Sequence, residues 1–406
     1  MTDNPEQAID VMRERLTNRV YDMSDADAQV LLDISNRIQL LGASAYSDHR
    51  HEFLLRRGTI LAKRVGGLSD ALNGSREQAE TLVRWINTEQ TGSPETNKDY
   101  RVALRTLGAI YTESDDPPDS LAWIPGGYPS THDPAPAPET MYKWAEHIVP
   151  MLDQCRNSRD RALIAFAWDV GPRPSELFDL TIDCFSDHDY GMRVSLRDGK
   201  RGTRSPVMVP SVPYVRKWLA DHPSDSADAP MWSGLNSPKQ VTNNRIRDVF
   251  TDVIDRCTFR PPSKPTPSRM RKSSASYLAS QGVKQSHLED HHGWTRGSKV
   301  AARYIAVFDE SNALEIASAH GIDVEADRAD PTGPAICPRC DQKTPREKPA
   351  CMWCGQALSK DAADVANEQR ENAMASLPDA DAEVAEAIQR VESLFGDNIN
   401  VRIELD

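Results

Sequence analysis

Nowhere in the 406 residues is there an uninterrupted apolar run of about 18, so no segment is read as crossing a membrane. The first residues, MTDNPEQAIDVMRERL, lack the apolar centre of a secretion signal. The expectation is therefore a cytoplasmic protein. Cysteine is sparse, with 7 in all. Cys155, Cys184 and Cys257 stand alone and read as buried thiols, and no disulfide framework is expected in an intracellular chain of this size. Lysine is scarce as well, 13 against 35 arginines, while aspartate is plentiful. That balance suggests a high-salt cytoplasm such as a halophilic archaeon's, although a GC-rich genome explains the arginine bias nearly as well.

The net charge of −13 looks wrong for a nucleic-acid partner, but its distribution matters more than its total. Residues 361–406 hold 12 acidic and 3 basic side chains, whereas residues 141–320 hold 25 basic and 21 acidic ones. Within the latter, residues 256–272 carry six basic side chains and no acid. A basic surface inside an acidic chain is compatible with DNA binding.

Periodicity and breakers divide the chain into a helical segment at 1–45, a helical domain at 46–113, a linker at 114–139, a mixed domain at 140–320, a small cysteine-bearing module at 336–358 and an acidic tail at 359–406. Ser24 or Asp25 is suited to cap a helix with Val30, Leu31, Ile34, Ile38 and Leu41 inside, and Ser75 and Ser93 to open two more. On the last of these, Lys98, Arg101 and Arg105 share one face; such a row either tracks a phosphate backbone or is simply solvated. Seven prolines between Pro117 and Pro138 mark the linker. In the mixed domain Ser158 caps a buried helix that stops at Gly171-Pro172. Residues 191–210 alternate as strands around a basic turn that puts Lys200 at a hairpin tip, and a further helix runs from Ser268 to Gln281. The tail is amphipathic, with Val384, Ala387, Ile388, Val391, Leu394 and Phe395 on one stripe, a face suited to a protein partner or to self-packing. Its negative charge disfavours an anionic membrane. The class is mainly α with a small β-sheet.

Cys337-Pro-Arg-Cys340 and Cys351-Met-Trp-Cys354 are the most specific chemical signal. Two knuckles with a short spacer suit tetrahedral thiolate ligation of a structural zinc ion, with Gly355 easing the second turn. A module this small would draw its folding free energy from the metal.

Three stretches are individually weak and informative together: ALIAFAWDVGPRPSELFDLTIDCF (162–185), SRMRKSSASYLASQG (268–282) and HGWTRGSKVAARY (292–304). A tyrosine at helical spacing with Val300 and Val307 is ordinarily core. With Arg173, Lys200, Arg271 and Trp294 upstream, Tyr304 completes a set suited to attacking a phosphodiester. Two guanidiniums can hold the non-bridging oxygens and stabilise the pentavalent transition state. No convergent carboxylates are legible that would hold a catalytic metal.

Over residues 140–310, and more loosely over 46–113, the chain resembles the tyrosine recombinase (phage integrase) family. Arg173 and Glu176 match its Arg-x-x-Glu spacing, with Glu176 as a structural neighbour of the site. Arg271 matches the arginine of its His-x-x-Arg box, with Ser268 where the histidine is usual. Trp294 stands at its His-or-Trp position and Tyr304 at its nucleophile. The resemblance implies a 3′-phosphotyrosine intermediate without ATP or catalytic metal, and Lys200 as general acid. It also implies double-stranded DNA as partner and a homotetramer on two DNA sites. A serine cannot act as a base near pH 7, so altered proton transfer is expected. His291 and His292 read as solvent-facing, with a compensating role for His292 as the alternative. Arg201, Arg204, Arg269 and Lys272 join the DNA-binding candidates. Two other readings remain: a catalytically weakened DNA-binding regulator or excision factor of the same fold, and a type IB topoisomerase.

Overall fold

The structure, a computed structural model, describes residues 4–90, 93–127, 137–198, 202–301, 304, 316–317, 319–322, 324 and 331–375. The chain forms two compact units, Met1–Asp133 and Pro134–Asp406. Among the described residues, no helix is long and apolar enough to cross a membrane.

The N-terminal unit is all helical: α1 (Pro5–Thr17), α2 (Asp25–Leu41), α3 (Asp48–Arg64), α4 (Leu68–Leu72), α5 (Arg76–Thr88), α6 (Pro94–Thr112) and α7 (Asp119–Ala122). Serines start four of them. The hydroxyls of Ser24, Ser47, Ser75 and Ser93 accept from the backbone N–H of Asp27, Arg50, Gln78 and Thr96 at 3.1, 3.4, 3.3 and 3.3 Å, each worth roughly 1 kcal/mol. Val30, Leu31, Ile34 and Ile38 are buried as expected, while Leu41 is exposed. Helices α1 and α2 share one core with α3 to α6 and pack as part of this unit. The proline-rich stretch also contributes: α7 forms just after Pro117-Pro118, and Leu121 and Ile124 are fully buried in the same core.

The C-terminal unit is built around α9 (Ser158–Asp169), which is buried on nearly every side. Its cap is Asn157 rather than Ser158, accepting from Asp160 N–H at 2.8 Å. A π turn (Trp144–Ile148) and α8 (Val149–Asp153) lead into it, and α10 (Pro174–Phe178) follows. Strands β1 (Phe185–His188), β2 (Gly191–Val194) and β5 (Val207–Met208) form an antiparallel sheet pairing Phe185 with Val194 and Met192 with Met208. Strands β3 (Leu196–Asp198) and β4 (Gly202–Arg204) form a separate ribbon pairing Leu196 with Arg204 and Asp198 with Gly202. Helices α11 (Val212–Asp221), α12 (Asn243–Ile254), α13 (Pro267–Ser280) and α14 (Gln285–His292) complete the layer. Beyond them lie β6 (Ala335–Ile336), β7 (Lys343–Thr344) and α15 (Lys360–Ala375).

Asp169, at the end of α9, holds the turn after β5. Its carboxylate accepts from Val209 N–H at 2.8 Å, Ser211 N–H at 3.0 Å and the Ser211 hydroxyl at 2.7 Å. Burial pushes this carboxyl up to about 6, against the lowering pull of those donors. A folded-state pKa raised above the unfolded 3.8 means that the folded chain takes up the proton first. The contribution of Asp169 therefore falls as pH rises from 3.8 to about 6, with roughly 3 kcal/mol at stake. His291, whose Nε2 lies 3.3 Å from the Asp169 carbonyl, works in the opposite sense. Burial and the Arg204 charge push it down to about 4, so its contribution is lost as pH falls from 6.5 towards about 4. Asp169→Asn is expected to remove the first effect and leave the second. In urea titrations the variant should lose more stability than the parent on acidification through the range of about 6 to 4; matching losses would overturn the assignment.

Candidate active site

The site begins where α9 ends. Gly171 and Pro172 turn the chain, and Arg173 becomes the N-cap of α10 with Pro174 at its first position. Three residues into that helix sits Glu176, only 2% exposed. Its carboxylate accepts from Arg173 N–H at 2.8 Å and Arg173 Nη1 at 2.6 Å. From β4, Arg204 Nη2 donates to the same carboxylate at 2.7 Å and Nε at 3.3 Å. Burial alone would raise the Glu176 carboxyl. The Arg204 hydrogen bond, the Arg204 charge and the Arg173 contacts outweigh burial and hold it below the usual value.

The C-terminal end of α14 draws three arginines together. Arg204 donates to the carbonyl of His291, Arg271 to that of His292, and Arg173 Nη2 to that of Gly293 at 2.7 Å. These carbonyls are consecutive. A helix leaves its last carbonyls without intrahelical partners and carries negative potential there, so guanidiniums are favoured partners. Gly293 has φ +61°, and a Cβ there would lie 2.7 Å from Arg204 Cδ. Both the left-handed turn and the close approach of the arginines require glycine. Arg271 is fixed a second time by Nη1 to the Gly171 carbonyl at 2.6 Å. Anchoring one edge of a planar fork on carbonyls sets the plane of the remaining donors.

Among the described residues, three guanidiniums gather around the Glu176 carboxylate. Burial, then the charges of Arg204 and Arg173, push Arg271 down to about 9, while Glu176 and Tyr304 act the other way. An anion bound at this cluster would offset those like charges. The aromatic groups lie beside it. The Arg271 guanidinium is 5.5 Å from the centre of the Trp294 ring. Trp294 stacks on His292 (4.8 Å, 16°) and on Tyr304 (5.6 Å, 9°). Tyr304 is 6% exposed and packs with Ala275, Ala279 and Leu288.

Arg173, Glu176, Arg271, Trp294 and Tyr304 therefore converge. Lys200 and Arg201 lie outside the described residues, between the paired Asp198 and Gly202. Ser268 is exposed in the first turn of α13. His292 is fully buried, contrary to the solvent-facing expectation, because the Gly293 turn folds Trp294 back over its ring. Its Nε2 is buried and finds no hydrogen-bond partner among the described residues. Arg204 is part of the site's framework, with its side chain only 8% exposed. Arg269 is half-buried and reaches Thr140 Oγ1 at 3.2 Å, and Lys272 is exposed. Val300 is exposed, Ala301 rather than Val300 is buried beside Tyr304's turn, and Val307 lies outside the described residues.

In the N-terminal unit the expected cationic row is split. Lys98 is half-exposed. Arg101 turns inward, donating to Asn87 Oδ1 at 2.9 Å and to the carbonyls of Pro125 and Gly127 at 3.0 and 2.9 Å. Arg105 donates to the carbonyls of Ala122 and Ile124 at 3.2 and 2.5 Å. A different cluster gathers cations on rings. Arg50 and Arg57 lie 5.1 and 5.3 Å from the centre of Phe53, and Arg57 lies 4.5 Å from that of Tyr100. Arg57 Nε and Asn97 Oδ1 are buried and find no hydrogen-bond partner among the described residues. The sequence signal was the density of basic residues in α3, which the regular spacing on α6 obscured.

The four cysteines near the C-terminus also converge, with all Sγ atoms within 4.8 Å of one another. Cys337 and Cys354 are 3.6 Å apart and Cys340 and Cys351 3.7 Å. Four thiolates around a tetrahedral zinc ion at about 2.3 Å would be about 3.8 Å apart, so the donor set and spacing fit that ion. Gly355 adopts φ +74°, as the second knuckle requires.

Comparison with known proteins bears on the fold of the C-terminal unit. Residues 140–311 match the sequence profile of the phage integrase family. That segment, within the C-terminal unit, is a phage integrase domain. No curated protein matches it in sequence. Among solved structures, the Tn1549 transposon integrase in complex with transposon right end DNA matches with a TM-score of 0.54 at 13% identity, over 72% of this chain and 99% of that one. The XerH recombinase bound to its difH substrate gives 0.47 at 15% identity, over 78% and 94%. A lambda integrase tetramer bound to a Holliday junction gives 0.49 at 11%, over 66% and 75%. At these identities the likeness is one of fold, and the Tn1549 integrase carries it. The family's mainly helical architecture with small sheets is the one described above.

Proposed function

We propose that this chain is a site-specific DNA recombinase that cuts and rejoins DNA through Tyr304. The observation that carries the reading is the fastening of Arg173, Arg204 and Arg271 to three consecutive carbonyls directly before Trp294, with Tyr304 stacked on that ring. Arg173 and Arg271 hold the non-bridging oxygens of the scissile phosphate and stabilise the added charge of the pentavalent transition state. Trp294 donates its indole N–H to the phosphate. The phenol loses its proton to solvent, helped by the neighbouring guanidinium charge, and its oxygen attacks phosphorus; the phosphorus–5′-oxygen bond breaks as the departing 5′-oxygen takes a proton from Lys200. A 5′-hydroxyl of a second strand then attacks the phosphotyrosine and frees Tyr304, so bond energy is conserved without ATP. Charge neutralisation falls to guanidiniums, and the scheme needs no catalytic metal. Ser268 does not replace a histidine base, and His292, under Trp294, holds the ring in place. The chain works as a homotetramer on two double-stranded DNA sites. A DNA duplex nicked close to its cleavage position tests the reading: the cut fragment diffuses away, so a covalent protein–DNA adduct should accumulate. If the chain binds a site but never accumulates adduct, it is a DNA-binding regulator instead.

In the same reading Arg50, Phe53 and Arg57 on α3, with Asn97 on α6, form the DNA-contacting face of the N-terminal unit. Rings that hold guanidiniums rigid lower the entropic cost of placing them on a phosphate or base edge. Arg57→Gln in the full chain should weaken DNA binding about tenfold and make its salt dependence shallower by about one phosphate's worth. Unchanged affinity and slope would place the DNA elsewhere. The four-cysteine module binds zinc structurally, with Cys337, Cys340, Cys351 and Cys354 as ligands.

A further inference from the structure

Side chains of the cysteine module and its lead-in meet the helices of the same C-terminal unit. Glu347 Oε1 accepts from the Tyr214 hydroxyl of α11 at 2.6 Å. That phenol is 3% exposed, and burial followed by the Glu347 charge raises its pKa strongly. Lys348 pairs with Asp153 of α8. On the lead-in to β6, Thr332 Oγ1 lies 3.2 Å from Tyr277 Oη of α13, and a Cβ on Gly333 would lie 3.6 Å from Val209 Cγ1. Tyr277 in turn packs on Trp168 of α9 at 4.9 Å. Of the helices so reached, α13 carries Arg271, and α9, on which Tyr277 packs, runs into Gly171 and Arg173.

We propose that the zinc-bound module is an intramolecular clamp whose docking surface is the Tyr214, Asp153 and Tyr277 face of the catalytic unit, so that metal binding and the stability of that unit are thermodynamically coupled. The inference rests on the zinc reading. Within the module the metal fixes both knuckles. The β6–β7 pair joins Ile336, next to Cys337, to Lys343, and Glu347 and Lys348 lie between the knuckles. A module that loses its metal loses the geometry that presents Glu347 to a buried phenol. By reciprocity, a module that cannot dock holds its metal less tightly.

The test uses the full chain. Metal content after purification, and titration of the stripped chain with Zn²⁺ alone, decide whether the module binds zinc. A chain that binds none removes the reading on which the clamp depends. If it binds, Glu347→Gln and Tyr214→Phe, both close in shape, should each weaken zinc affinity in a chelator competition about tenfold, as expected for losing one charge-assisted hydrogen bond. Metal removal should lower the melting temperature of the catalytic unit in the parent, and lower it less in Glu347→Gln, because the coupling is already broken. Zinc affinity unchanged in both variants, with the same melting shift on metal removal, would overturn the clamp while leaving the zinc site intact. Should either variant fold poorly, Thr332→Val tests the same coupling from the lead-in.

Discussion

Tyr304→Phe is expected to trap no covalent adduct on a nicked substrate, with strand cleavage reduced by four orders of magnitude or more, roughly what removing a catalytic nucleophile costs. The substitution removes one oxygen and keeps the ring. The Trp294 contact at 5.6 Å and 9° is between rings, and the surrounding Ala275, Ala279 and Leu288 contacts are apolar, so packing is retained. Melting temperature and DNA affinity should therefore stay close to those of the parent. That combination matters, because loss of the adduct with loss of fold would say nothing about chemistry. An adduct that persists in the variant would show that another residue attacks, and the assignment of Tyr304 would fall.

How much of this was legible beforehand follows from what each signal encodes. Helix starts were legible because a cap is a local transaction between a serine and an N–H three residues on, and Ser24, Ser75 and Ser93 behave that way. The spacing of Arg173 and Glu176 was legible for the same reason: their contact is made within one helical turn. The inward turn of Arg101 and Arg105 was not. A helical wheel says that two cations share a face, but not that residues 122–127 fold back to offer that face their carbonyls. Arg204 read as one basic residue among several near a hairpin. Its burial depends on Glu176, 28 positions away, and on the end of α14. His292 read as solvent-facing because two adjacent histidines carry no periodicity, and the Gly293 turn that folds Trp294 over it is a tertiary event. Asp169 drew no attention because its partners lie 40 and 42 residues further along the chain.

Glu176→Ala should be the most damaging substitution outside the reacting groups, and damaging in two separable ways. The carboxylate side chain is 1% exposed and bridges Arg173 and Arg204. Removing it takes that carboxylate from two guanidiniums, one of them 8% exposed, beside Arg271. Stranding a buried charge in this way costs about 3–5 kcal/mol, which calorimetry or urea unfolding should register as a large loss of stability. Glu176→Gln keeps the shape and one acceptor oxygen, so its loss should be smaller. The functional consequence runs the other way for binding than for rate. With its negative charge gone the site is more positive, and affinity for uncleaved DNA should hold or rise. Arg173, deprived of the carboxylate that fixes both its backbone N–H and its Nη1, no longer presents its fork in one plane, and positioning errors of that kind lower the chemical step. Adduct formation at saturating DNA should therefore fall by about two orders of magnitude or more in Glu176→Gln while binding does not weaken. If binding and rate fall together in proportion, Glu176 serves only to keep the unit folded, and the account of it as the brace that aims Arg173 is wrong.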